Sequence, residues 1–324
     1  MSNLRDILEV RQVGIYFAAV IFAALIAFLI PGTTALEMAI NPALAFMLFV
    51  TFLQVPVAEL GRAFLQMRFL GALLVTNFIA VPALVFGLIQ FLPADPLIRL
   101  GVLLVLLTPC IDYVVTFAHM GRGDARLLLA ATPTLLIVQM LALPFYLGAF
   151  LGDEASGLVQ MGPFIHAFVW LIALPLIGAA LVQIAAAKLP AMRKVAVGLG
   201  LLPVPATALV LFVVVAAVVP QLGMSLDGAL QVLPIYIAFA ALAPAIGWVI
   251  ARIARIEVGG ARAVAFSAAT RNSLVVLPLA FAVPNAMPLL PAIIVTQTLV
   301  ELVSEMVYVR VIASLGPKSA DVST

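Results

Sequence analysis

Cys110 and Asp112 lie two residues apart in Thr108-Pro109-Cys110-Ile111-Asp112-Tyr113, inside an apolar run long enough to cross a membrane. A second such run holds Ser267-Ala268-Ala269-Thr270-Arg271-Asn272-Ser273 and carries the opposite charge, and a third holds Glu301 and, one turn on, Glu305. A charge in the middle of a hydrocarbon core costs at least about 2.5–3.5 kcal/mol. Such groups must be paired, neutralised or solvated by a cavity. Two kinds of chemistry fit them. Asp112 and Glu301 are candidate proton carriers or charge-compensating groups at a binding site, since intramembrane ionisable residues mark pathways; the alternative is a structural ion pair of Arg271 with one of the two acids. The Cys110 thiol is a soft ligand suited to thiophilic species rather than to sodium or magnesium; the alternative is a small buried hydrophobe.

The neighbours of these residues point to interrupted helices. Pro109 removes a backbone donor and breaks its helix. Thr270, Asn272 and Ser273 offer side chains that compete with the helical ladder, and Pro278 follows. Unwound backbone at membrane depth is tolerated only where protein buries it or where it lines a cavity. Candidate binding residues are therefore Cys110, Asp112, Arg271, Asn272, Ser273 and Glu301, with Thr270, Gln139, Gln297 and Glu305 as secondary candidates. The two glutamines either face the site or join helices by hydrogen bonds. His119 and His166 fall at segment ends, and Asp124 is placed to cap a helix. There is no phosphate loop, metal-ligand cluster or nucleophile–base arrangement in the sequence, so neither an enzyme nor an ATP-driven pump is expected, and no cofactor.

The elements that must position these residues are membrane helices. Of 324 residues 65% are apolar and 9% charged, against roughly 25% charged in a soluble domain. The runs are about 20 residues long, the length of a helical span. Ten can be marked, at 13–30, 39–57, 69–91, 98–118, 127–151, 164–184, 196–219, 230–250, 261–281 and 291–312. Of the 16 Lys and Arg, one set of alternating loops receives all but Arg99 and the intramembrane Arg271. That asymmetry places both termini in the cytoplasm. A net charge of +2 gives no reason to expect a nucleic-acid partner.

Pro133-Thr-Leu-Leu-Ile-Val-Gln139 matches Pro291-Ala-Ile-Ile-Val-Thr-Gln297, 158 residues later. The expected fold is all-α, a polytopic membrane protein of ten helices in a five-plus-five inverted repeat (13–151 and 164–312) with broken fourth and ninth helices. Sites in such transporters lie near the midplane, where broken helices meet.

This pattern resembles the bile acid/sodium symporter superfamily and, within it, the arsenical-resistance permeases that export arsenite. The motifs that carry the likeness are Cys110, the Gly123-Asp124 turn, the Asn272-Ser273 break and Glu301. The resemblance implies a moving core within 69–151 and 230–312, a panel within 13–57 and 164–219, and roles for Cys110 and Glu301 in arsenite export. Sodium symporters of the superfamily carry a Glu-containing stretch before a Gln-Asn pair in the ninth helix and a Ser-Asn pair in the fourth. This chain has Ser267, Arg271-Asn272 and Val114-Val115 there, which removes oxygen ligands and adds a positive charge. The function expected is proton-coupled export of arsenite or antimonite across the inner membrane by alternating access, with Cys110 touching the metalloid transiently. A sodium-coupled symporter of an organic anion and a non-transporting membrane sensor are the alternatives.

Overall fold

The computed structural model describes residues 2–54, 66–111, 113–152, 166, 169–220, 226–281, 283–284 and 286–316. Their elements are helical, apart from one isolated pair of bridged residues. Six helices are long and apolar enough to cross a membrane. They are α1 (Ser2–Leu29), α2 (Glu37–Phe52 with a lead-in turn, Thr33–Leu36), α3 (Met67–Ile89), α6 (Ala125–Leu151), α10 (Leu226–Ile253) and α13 (Leu289–Ser314). A seventh forms if α8 (Pro190–Leu199) and α9 (Pro203–Val218), bent by 46° at their junction, are taken as one. The chain is a multi-pass membrane protein. Its outer surface agrees: Phe28, Leu29, Leu141, Phe145 and Ile253 are each more than 70% exposed along these helices, a surface that only lipid or a partner covers.

The remaining expected spans are shorter or interrupted. Residues 98–118 resolve into α4 (Pro96–Leu106) and α5 (Val114–Met120), and 261–281 into α11 (Val258–Ala269) and α12 (Ser273–Phe281). The 164–184 segment is described only in part, as a π-helical turn, Val169–Ala173, leading into α7 (Leu174–Lys188). Asp95 caps α4, accepting from Leu97 N at 2.8 Å and Ile98 N at 3.2 Å, and Pro96 opens it. Asp124 caps α6 as expected, accepting from Arg126 N and Leu127 N. Both caps fill N–H groups that a helix start leaves without partners.

α9 packs on α1 and α2, and α2 also meets α7. α10 packs on α11 and α13, and α4 on α13 and α6. The approach of α10 to α11 depends on Gly247: a Cβ there would lie 2.8 Å from the Ala268 Cβ and 2.9 Å from the Val264 carbonyl. Small residues permit such close backbone contact between membrane helices.

Two prolines shape the long helices from within. Pro82 in α3 and Pro244 in α10 have no N–H for the carbonyl four residues earlier, and that carbonyl would be costly to leave bare in hydrocarbon. Tyr146 of α6 donates its hydroxyl to the Phe78 carbonyl, and Tyr308 of α13 donates to the Ala240 carbonyl at 2.5 Å. These are the carbonyls that the prolines free. Both bonds span 68 residues of sequence. Phe78 to Ala240, Tyr146 to Tyr308 and Pro82 to Pro244 are each steps of 162 residues. The sequence match at 158 differs from this spacing by four residues, about one helical turn.

Candidate functional site

The two interrupted segments meet at their breaks. Pro109 and Arg271 face each other as an antiparallel bridge. Cys110 N donates to the Thr270 carbonyl at 3.0 Å, and Asn272 N donates to the Thr108 carbonyl at 2.9 Å. Here too equivalent residues are 162 apart: the two acceptors, Thr108 and Thr270, and the two donors, Cys110 and Asn272. α4 and α11 both end at this point with their C-termini, where the last carbonyls lack helical partners and carry partial negative charge. The hydroxyl of Thr108 lies 2.9 Å from the Leu104 carbonyl, and that of Thr270 lies 2.8 Å from the Phe266 carbonyl.

Arg271 supplies the cation for these helix ends. Its side chain is fully buried. Nη2 donates to Asn77 Oδ1 at 2.8 Å, to the Ala268 carbonyl at 2.9 Å and to the Ser267 carbonyl, while Nη1 lies 3.4 Å from the Leu106 carbonyl. The guanidinium also sits 5.6 Å from the centre of the Phe239 ring, a distance at which the ring face attracts a cation. One side chain thus gathers the carboxyl ends of α4 and α11 and an amide from α3. Among the described residues its guanidinium forms no ion pair with a carboxylate. With Glu301, one of the two acids of the alternative ion-pair reading, Arg271 makes a backbone contact instead, from its N to Oε2 at 2.6 Å. Asp112, the other expected partner, lies outside the described residues.

Glu301 is the centre of a second set of bonds. Oε1 accepts from the Tyr113 hydroxyl, and Oε2 accepts from Arg271 N and from Gln297 Nε2 at 2.7 Å. Gln297 Oε1 in turn accepts from Ser273 Oγ. Three donors lie within reach of Glu301, and the Tyr113 hydroxyl, with one proton, also lies 3.3 Å from the Arg271 carbonyl. Glu305 differs. Its Oε1 lies 2.6 Å from Thr270 Oγ1, and its Oε2 is buried with no hydrogen-bond partner among the described residues. The Thr270 hydroxyl has one proton and two acceptors in reach, the Phe266 carbonyl and Glu305. A protonated Glu305 that donates to Thr270 satisfies both.

The crossing therefore brings together Thr270, Arg271, Ser273, Gln297, Glu301 and Glu305, with Cys110 and Asn272 joined through their backbone. Cys110 is buried. Among the described residues Asn272 Nδ2 is buried without a hydrogen-bond partner, as are both polar atoms of Gln139, which stays outside the network. Sequence reasoning passed over Asn77, Tyr113 and Phe239. Asn77 left one signal, a lone amide in a strongly apolar helix beside Pro82. In the structure it lies in a π-helical turn, Thr76–Ala80, an irregularity frequent at functional sites. It also donates to Ser267 Oγ at 3.0 Å. Phe239 carries no such signal.

A polar cleft reaches this network from one side. A cavity of about 190 Å³ is lined by Arg5, Glu9, Thr51, Gln54, Thr116 and His119, with Ile111 and Val115 beside them. It shares Glu9, Thr51, Gln54 and Thr116 with a narrower cavity of about 30 Å³ that adds Gln12, Tyr16, Thr207 and Tyr113. Gln12 is 2% exposed and its Nε2 has no hydrogen-bond partner among the described residues. Arg5 and Glu9 neutralise each other at 2.7 Å. The lining thus combines hydroxyls and amides with apolar side chains such as Leu129 and Val204. Tyr113 belongs to the cleft and to the buried network at once, because its hydroxyl donates to Glu301.

A comparison with curated proteins returns no match. The model of the Sodium Bile acid symporter family matches residues 41–226, from α2 to the first residue of α10, including the first break with Cys110 and Tyr113 but not Arg271 or Glu301. That match covers more than half of the chain, and with the crossed, interrupted helices it shows that the chain belongs to the Sodium Bile acid symporter family.

Proposed function

We propose that this protein is a secondary transporter that exports arsenite or antimonite, as the neutral trihydroxide, in exchange for protons. The observation that carries the proton coupling is the placement of Arg271. Helix C-termini that converge in a membrane attract a mobile cation. Here a tethered guanidinium lies within hydrogen-bonding distance of the Leu106, Ser267 and Ala268 carbonyls. A tethered charge cannot cross with substrate, so it takes sodium's electrostatic role without its thermodynamic one. Glu301 and Glu305 are then the groups able to carry charge through the cycle, with Asp112 as a third.

The cleft supports the substrate reading. Its charges cancel, its lining offers hydroxyls and amides, and its size suits a small neutral polyhydroxy solute. We assign Cys110 a transient contact with As(III) or Sb(III), made when the break beside Ile111 opens toward the cleft. We further propose that the broken pairs α4–α5 and α11–α12 each cross once, giving ten crossings in two inverted halves with a spacing of 162 residues. α3 to α6 and α10 to α13 then form the core that moves against α1, α2, α7 and α9. The site is proposed to lie in the inner membrane with cytoplasmic termini.

The family match favours a second reading, sodium-coupled symport of an organic anion. In that reading Arg271 would bind the substrate carboxylate, but its guanidinium points to Asn77 and the helix ends rather than into the cleft. Arsenite flux in proteoliposomes separates the two. A proton gradient alone is expected to drive arsenite movement, a sodium gradient alone to have no effect, and Cys110→Ala to lower the flux at least about tenfold, a loss of about 1.4 kcal/mol in barrier terms. Sodium-driven flux without a proton response would reject the proposal. Flux undiminished in Cys110→Ala would remove the thiol from it.

A further inference from the structure

A cavity of about 820 Å³ opens at the end of α13, with none of the crossing's residues in its lining and with a different chemistry. Arg122, Arg262 and Arg310 line it, with Met120, Val258 and Val309 among its apolar walls, and no carboxylate is in the lining. We propose that it holds the phosphate group of an anionic membrane lipid.

Two of the three cations are held by hydrogen bonds. Arg262 donates from Nε and Nη2 to the Leu315 carbonyl at 3.2 and 2.8 Å, and from Nη1 to the Arg122 carbonyl at 3.3 Å. Arg310 Nη1 donates to the Met306 carbonyl at 3.0 Å. None of the three forms an ion pair among the described residues. Arg122 has a φ of 59°, a left-handed conformation uncommon for a residue with a side chain. That conformation accompanies the contact between the Arg122 carbonyl and Arg262. The nearby acids form no ion pair with the group among the described residues: Asp124, beside Gly259, directs its carboxylate to the start of α6. Glu257 precedes α11 but makes no side-chain cap. The first N–H groups of α11 therefore add a positive end at Val258 and Gly259.

The apolar walls and the surroundings select a lipid over a free anion. Val303, Val307 and Val311 are each at least 50% exposed and, with Met306, form a stripe along α13 that leads to Arg310. An acyl chain on that stripe puts its phosphate among the arginines. Basic pockets at the ends of membrane helices hold acidic headgroups in this way.

The test uses the full-length protein in neutral detergent. Phosphatidylglycerol and phosphatidylcholine of the same chains are offered separately, and bound lipid is counted by native mass spectrometry. The natural protein is expected to retain phosphatidylglycerol at least about fivefold more than phosphatidylcholine. Arg310→Gln and Arg262→Gln should each lower that retention by about fivefold, the effect of one basic contact near an acidic headgroup. Arg99→Gln should not. Arg310→Gln leaves the Arg262–Leu315 contacts in place, so it separates lost binding from lost folding, and unchanged thermal unfolding in that variant is the check. Equal retention of both lipids, or full retention in Arg310→Gln, overturns the proposal. Protection by inorganic phosphate but not by phosphatidylglycerol would overturn the lipid assignment and leave a free-anion site.

Discussion

Arg271 shows how one side chain replaces several ligands. Its planar fork reaches acceptors on α3, α4 and α11 at once, a geometry that a lysine ammonium on a flexible stem does not reproduce. In Arg271→Lys, Asn77 Oδ1 or a helix-end carbonyl is left without a donor in a buried site. Each such loss costs about 1–3 kcal/mol. Thermal unfolding in detergent is therefore expected to fall, and arsenite flux to drop more than about tenfold, the usual consequence of a mispositioned group at a site. Natural stability and flux in Arg271→Lys would mean that charge alone suffices. Most of this cluster was legible in the sequence, since polar residues in apolar runs stand out: Arg271, Ser273, Gln297 and Glu301 are all joined at the crossing. The direction of the guanidinium was not. Charge counting pairs an arginine with an acid, but helix-end carbonyls satisfy it as well, and only the three-dimensional meeting of α4 with α11 reveals them.

The elements keep their shape through paired proline and tyrosine residues. Tyr146 satisfies the carbonyl that Pro82 frees, and Tyr308 does the same for Pro244. Tyr146→Phe is expected to destabilise by about 1 kcal/mol or more, because a buried carbonyl loses its donor. In a Pro82→Ala background the backbone N–H returns and the same substitution should cost less. A double-mutant cycle of thermal stabilities would show coupling of at least about 0.5 kcal/mol; additivity would mean that the tyrosine hydroxyl is not compensating for the proline. This pairing was hidden in the sequence because the partners lie 68 residues apart. The proposed repeat left a trace in the sequence, four residues away from the spacing that the hydrogen bonds carry. Four residues is one helical turn, so a match at 158 keeps every side chain on nearly the same face as the spacing of 162 that the hydrogen bonds carry. By the latter spacing the unpartnered Gln139 corresponds to Glu301 and Asn77 to Phe239, so Arg271 is held between two equivalent positions. The long spans were legible from composition, whereas the cleft joins α1, α2, α5 and α9, elements whose proximity no local pattern encodes.

At the scale of the molecule, transport requires that the cleft open and close between groups of helices that each stay rigid. α1 and α9 pack against each other along their lengths, whereas Gln12 of α1 and Thr116 of α5 face each other only across the cleft that both line. If the proposed core moves against α1, α2, α7 and α9, their separation changes in every cycle. Gln12→Cys with Thr116→Cys, joined by a short reducible thiol cross-linker, should stop arsenite flux and regain it on reduction. Cys110 is buried in this state and is kept, and each single variant treated with the same reagent shows what its own reaction costs. Glu9→Cys with Thr207→Cys is the control, because α1 and α9 belong to one group; that cross-link should leave flux within about twofold, provided that each single variant is active. A locked control pair would mean that the helices around the cleft move individually. Uninhibited flux in the Gln12–Thr116 pair would mean that the cleft stays open throughout, and the protein would then conduct as a channel rather than alternate. A fixed aqueous path to Tyr113 and Glu301 would dissipate the proton gradient that the proposed exchange depends on, so the coupling and the motion stand or fall together.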